Sequence, residues 1–133
     1  MKIARPLLDD IVAHAVADAP DECCGIVAAR DGAATSVHAV ENQAASPFRF
    51  EVDGLEMFRL LEKIESDGGE LAAIYHSHTR SDPYPSQTDV NFSHGWPGVE
   101  WIIVGVPKNG AEPEVRSYLI EGGTVSEVEL ELT

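Results

Sequence analysis

The stretch Leu71-Ala72-Ala73-Ile74-Tyr75-His76-Ser77-His78 decides how this chain is read. It is apolar up to its histidines and follows the breaker Asp67-Gly68-Gly69, which predicts a buried strand. Side chains two apart on a strand share a face, so His76 and His78 can address one ion from one rigid element. Prolines stiffen the following loop, Thr79 to Pro85, and keep it out of a sheet. Ser86-Gln87-Thr88-Asp89 then opens a short helix that brings the Asp89 carboxylate back towards the imidazoles as a third ligand. Three protein ligands leave a fourth position for water, the arrangement of a catalytic zinc, one ion per chain. Glu22, ahead of Cys23-Cys24-Gly25, is the spare carboxylate that such a water needs as a base.

Each piece also has a plain structural reading. Ser86 to Asp89 fits a helix capping box, with Ser86 as N-cap and Asp89 reaching back to its amide. Paired strand histidines often bond backbone or water, and Glu22 alone would pass for a solvated charge. The joint pattern, at ordinary residue frequencies, arises in a chain this long with a probability on the order of one in a thousand.

Glu22, His76-Ser77-His78, Ser86 and Asp89 together resemble the JAMM (MPN+/Mov34) metallopeptidases, and Pro20-Asp21-Glu22-Cys23-Cys24-Gly25 is similar to their small bacterial branch. The resemblance spans nearly the whole chain. It implies an α/β fold of MPN/JAB, cytidine-deaminase-like type, with a mixed, curved sheet flanked by helices in one domain over residues 1–133. By the same resemblance His76, His78 and Asp89 bind zinc, Glu22 handles protons and Ser86 helps to hold an oxyanion. Thr79 departs from the pattern, since the bacterial branch often has Pro there, at a position that carries no chemistry.

With 133 residues, 44% of them hydrophobic, the chain suits one domain with one core. No apolar run reaches membrane-spanning length and Met1 to Pro6 lacks a signal-peptide core, so a cytoplasmic protein is expected. Its 23 acids against nine bases give a net charge of −14, which repels nucleic acid and anionic membrane. Cys23 and Cys24 are adjacent, so a disulfide between them would be strained, and the Cys-x-x-Cys spacing of a deaminase zinc site is absent. They read as small core residues.

Outward from the metal strand, Leu8, Ile11, Val12, Ala15 and Ala19 recur at helical spacing between Pro6 and Pro20. Gly25 to Arg30 and Ala33 to Val40 flank Asp31-Gly32, a hairpin signal that puts Glu22 at the entrance to the first of these strands. Phe48 to Val52 reads as a short strand. Asp53 to Glu56 forms a capping-box pattern opening a helix with Leu55, Phe58, Leu61 and Ile64 inward. Val99 to Val106 reads as a central strand. Glu114 to Ile120 and Thr124 to Leu132 read as a final pair, with Val128, Leu130 and Leu132 buried and Glu127, Glu129 and Glu131 wet.

His14 and His38 read as surface or packing residues, His94 as a helix-end residue rather than a fourth ligand, and Trp101 as core whose indole N–H should find a partner. The loop Thr79 to Pro85 and the segment Asn42 to Phe50, which resembles the family's cleft border, are the two stretches placed to shape a substrate channel.

The resemblance implies zinc-dependent hydrolysis of a peptide or isopeptide bond at the Gly-Gly tail of a ubiquitin-like or sulfur-carrier protein, releasing cysteine or a short C-terminal extension. Two other classes stay open: a non-catalytic scaffold of the same fold, and a RadC-like DNA-repair role, which the acidic balance disfavours.

Overall fold

The computed structural model describes residues 1–133. In chain order its elements are β1 (Lys2–Ile3), α1 (Arg5–Asp18), β2 (Cys24–Arg30), β3 (Ala33–Val40), α2 (Gly54–Ser66), β4 (Glu70–His78), α3 (Gln87–Ser93), β5 (Glu100–Gly105), β6 (Glu114–Glu121), β7 (Thr124–Val128) and β8 (Glu131–Leu132). The strands form one mixed sheet in the order β7-β6-β5-β4-β2-β3-β1-β8. The metal strand β4 runs antiparallel to β2 on one side and parallel to β5 on the other, which buries its C-terminal two-thirds.

The sheet is curled, for a reason of chain length. Its two edge strands, β7 and β8, are separated only by Glu129 and Leu130. A link that short spans at most about 11 Å. In a flat sheet the outer two of eight strands would lie on the order of 34 Å apart. A register shift in β2 next to Ala28, seen against both neighbours, marks a bulge of the kind that lets a strand bend.

Each face of the sheet carries its own apolar layer. On one, α1 places Ile11 and Ala15 against Ile3, Cys23, Val27, Tyr75, Ile102 and Val104. On the other, Met57 and Ile64 of α2 meet Cys24, Ile26, Ile74, Trp101 and Ile103, with Val90 and Phe92 of α3 packed alongside. Cys23 and Cys24 therefore point to opposite faces, both are free thiols, and burial pushes them up to about 11 and about 12. Neither is poised as a thiolate nucleophile.

The hairpin at Asp31-Gly32 forms with φ of 53° and 79°, the paired left-handed geometry of a tight two-residue turn. Four expectations are corrected. Phe48 to Val52 is not a strand but a looped segment, whose Glu51 carbonyl accepts from Gln43 N at 2.9 Å. Helix α2 starts where expected, capped by Asp53 Oδ1 on Leu55 N at 2.8 Å, and Ile64 is buried as expected, but Met57 is buried with it whereas Leu55 and Phe58 are 56% and 57% exposed. The last strand breaks after Val128, and Glu131-Leu132 crosses to pair with β1, leaving Leu132 exposed rather than buried. Trp101 lies in the core, edge-on to Phe92, yet its indole N–H has no partner.

Candidate metal centre

Strand alternation and one helix cap build the site. Positions 76 and 78 of β4 turn their rings to the α3 face at the C-terminal end of the strand, and Asp89, third residue of α3, reaches the same point. His76 Nε2 and His78 Nε2 are 3.1 Å apart, and each lies 3.1 Å from Asp89 Oδ2. The three atoms form an equilateral triangle, and their residues are 0%, 3% and 4% exposed. Glu22, 5% exposed, adds a fourth donor: its carboxylate and the two imidazoles each place an atom within 4.8 Å of one another, positioned to bind one metal ion.

Hydrogen bonding decides which lone pairs face inward. His78 Nδ1 lies 2.8 Å from the Asp82 carbonyl, a pure acceptor, so Nδ1 carries the proton and neutral His78 turns a bare Nε2 into the triangle. His76 Nδ1 is buried without a partner, and the Phe50 ring tilts over this imidazole at 4.7 Å. Two imidazole nitrogens and a carboxylate oxygen converging in a dry pocket repel one another unless a cation joins them. For metal–ligand bonds of about 2.0–2.1 Å, a tetrahedral zinc needs ligand atoms about 3.3 Å apart, which the observed triangle approaches. The donor set fits the ion.

The electrostatics follow from burial and these contacts. Burial pushes Glu22 up to about 8, only partly offset by His78, so this carboxyl holds its proton strongly. Burial also holds His76 below its ordinary value, keeping it neutral. For Asp89, burial is overcome by His76, by hydrogen bonds with both histidines and by the Ser86 amide, and the carboxyl stays ionised, well below the usual range. Without the ion, His78 is raised despite burial, because a proton on its Nε2 can then bond Asp89 where the metal would otherwise sit.

Ser86 and Asp89 do form the capping box: Ser86 Oγ accepts from Asp89 N at 3.1 Å, and Ser86 N donates to Asp89 Oδ2 at 2.9 Å. The cap and the cluster are therefore one device, because the oxygen held by the Ser86 amide is the one aimed at both histidines. Ser86 itself is exposed, with its hydroxyl proton free of this bond. His94 caps the end of α3.

Sequence reasoning missed the supporting shell. Nothing in the local pattern announces Phe50 over His76 or the Asp82 carbonyl behind His78. The segment 42–50 holds the backbone of Glu22: Glu22 N donates to Ser46 O at 2.9 Å and Asn42 Nδ2 to Glu22 O at 2.8 Å. Glu22 also lines a cavity of about 530 Å³ with His14, Asp18, Asp21 and Glu41.

Comparison with known proteins shows the family of the chain and its fold. Residues 4–121 match the family model described as prokaryotic homologs of the JAB domain. A protein named desampylase from Haloferax volcanii is 39% identical over 110 residues, covering 77% of this chain and 78% of that protein. A CysO-cysteine peptidase from Mycobacterium tuberculosis is 33% identical over 127 residues, covering 94% and 86% of the two chains. In fold, the crystal structure of a JAB1/MPN domain protein from Archaeoglobus fulgidus superposes with a TM-score of 0.66 at 23% identity, over 99% of this chain and 98% of that one. The chain belongs to the prokaryotic homologs of the JAB domain.

Proposed function

We propose that this single-domain protein is a zinc-dependent hydrolase that cleaves a peptide or isopeptide bond at the C-terminal Gly-Gly tail of a ubiquitin-like or sulfur-carrier protein, in the cytoplasm. The observation that carries the reading is the buried triangle of His76, His78 and Asp89 at 3.1 Å edges, with Glu22 beside it. The substrate class is supported by the likeness to proteins named desampylase and CysO-cysteine peptidase, the second of which names a cysteine adduct as what is cut.

In this reading His76, His78 and Asp89 hold one zinc ion, which when bound supplies Lewis acidity towards water and the scissile carbonyl. Glu22 takes the proton of the attacking water and passes it to the leaving amine. The metal-free carboxyl is pushed up to about 8, and the charge of a bound cation would draw it back towards the range where it can both accept and release a proton near neutral pH. Ser86, at the exposed N-terminus of α3, donates its hydroxyl proton to the oxygen that gains charge in the transition state. The His78 Nδ1–H bond to the Asp82 carbonyl keeps that imidazole in its ligating tautomer. A net charge of −14 repels nucleic acid and anionic lipid, which disfavours the DNA-repair alternative.

The test is cleavage, followed by intact mass, of a Gly-Gly-tailed carrier bearing either a C-terminal cysteine or a lysine isopeptide. Release by the zinc-loaded parent and its loss in Glu22→Ala are expected. Adducts that stay intact with the zinc-loaded parent would sink the reading and favour a scaffold of the same fold.

A further inference from the structure

The metal strand has a second set of polar side chains, one that the chemistry above does not use. Ser77 alternates with His76 and His78 and points to the other face, and Thr79 follows it; both are buried, at 1% exposure or less and 7% respectively. Their hydroxyls bond the segment that carries Glu22. In the antiparallel register that pairs Cys24 with His76, the next pair outward is Cys23 with Ser77. Ser77 N donates to Cys23 O at 3.2 Å as a ladder requires, but Cys23 N donates to Ser77 Oγ, at 2.8 Å, in place of the Ser77 carbonyl. The chain therefore leaves the ladder one residue after Glu22. Three residues earlier, Thr79 Oγ1 donates to Pro20 O at 2.6 Å, with Pro47 O at 3.4 Å as a second acceptor from the 42–50 segment.

From these contacts we infer that Ser77 and Thr79 are positioning residues for Glu22: the strand that presents the histidine pair also clasps the base-bearing turn on both sides of Glu22. The inference rests on the proposed role of Glu22 as base. One rigid element thereby fixes the distance between the ligand pair and the base. Without the Ser77 hydroxyl the buried Cys23 amide would lose its partner, and without that of Thr79 the Pro20 carbonyl would lose its tie to the strand, so the turn would relax while the imidazoles stayed in place. A displacement well under an ångström suffices to slow proton transfer without moving a ligand.

The variants are Ser77→Ala, Thr79→Val, which keeps the branched shape, and Thr79→Ser, which keeps the hydroxyl. They are read by kcat and KM on the carrier adduct, metal per chain, and amide hydrogen exchange at Glu22 and Cys23. For Ser77→Ala and Thr79→Val, kcat should fall about tenfold. KM should stay within about twofold and the metal should be kept, because ground-state binding is untouched. Exchange at Glu22 and Cys23 should quicken, and Thr79→Ser should restore most of kcat. Full kcat in both variants, unchanged exchange, or a loss of kcat that tracks loss of metal would overturn the inference. If Ser77→Ala does not fold, the Thr79 pair decides. If the parent itself cleaves no adduct, the proposed function fails, and the exchange data still report whether the hydroxyls hold the turn.

Discussion

The two faces of β4 are built from the same strand and behave in opposite ways. On one face, His76 and His78 crowd against Asp89, with like-natured atoms 3.1 Å apart and His76 Nδ1 unpaired. On the other, every polar group has a partner: Tyr75 Oη meets His14 Nδ1 at 2.7 Å and Ser77 Oγ accepts the Cys23 amide. The lesson concerns where frustration is tolerated. A cluster that is unfavourable without a cation persists because a fully satisfied layer behind it holds the strand in place.

The largest effect expected on the satisfied face comes from Gly25→Ala. Gly25 sits opposite Tyr75 in the ladder, and a Cβ there would lie 2.1 Å from its ring, which is walled in by the α1 layer. A loss of about 3 kcal/mol in urea unfolding is expected. A neutral result would mean that the reverse face can yield, and the contrast between the faces would weaken.

On the ligand face, Ser86→Ala should lower kcat about 100-fold by removing a donor to the transition-state oxygen. Its cost in stability should be only about 1 kcal/mol, the worth of an N-cap. Metal content should hold, since Asp89 keeps the Ser86 backbone amide as its donor. A variant that loses metal along with rate would assign Ser86 to positioning Asp89 instead.

Chelated protein offers a test by pH. The folded pKa of Glu22 is raised from 4.5 to about 8, so the folded state binds the proton more tightly. Its contribution is fully present below about 4.5 and is lost as pH rises towards 8. Metal-free parent should therefore lose stability relative to Glu22→Gln across that window. The histidines are common to both proteins, and only the part of the His78 shift that Glu22 itself supplies differs between them. Parallel curves would show that Glu22 is well solvated.

The smallest effect belongs to Tyr75→Phe. It removes the hydroxyl bonded to His14, whose side chain is partly exposed and can turn to water, so about 1 kcal/mol of stability should go. Metal content and kcat should be unaffected, which separates this hydroxyl from that of Ser77, two residues on.

What was legible in the sequence was what local geometry determines. A strand period of two puts His76 and His78 together, a helix cap orients Asp89, and Asp31-Gly32 announces its hairpin. Tertiary choices were not legible. Ile64 of α2 faces the sheet as its spacing predicts, but Leu55 and Phe58 lie at the margin of the apolar face, and periodicity alone did not decide that Met57 would be buried in their place. The alternation from Val128 to Leu132 reads as one strand, but curling of the sheet hands its end to β1 on the opposite edge. Thr79, dismissed as carrying no chemistry, donates a hydrogen bond to the turn before Glu22. A hydroxyl that bonds a distant carbonyl leaves no mark in sequence spacing.

In the proposed function Asp89, not Glu22, completes the ligand set with His76 and His78, leaving Glu22 to handle protons. Zinc per chain, measured on purified and reconstituted Glu22→Ala and Asp89→Ala proteins beside the parent, tests it most directly. About one zinc is expected in the parent and in Glu22→Ala, and none retained by Asp89→Ala. Zinc lost from Glu22→Ala and kept by Asp89→Ala would contradict it, making Glu22 a ligand and Asp89 only a helix cap.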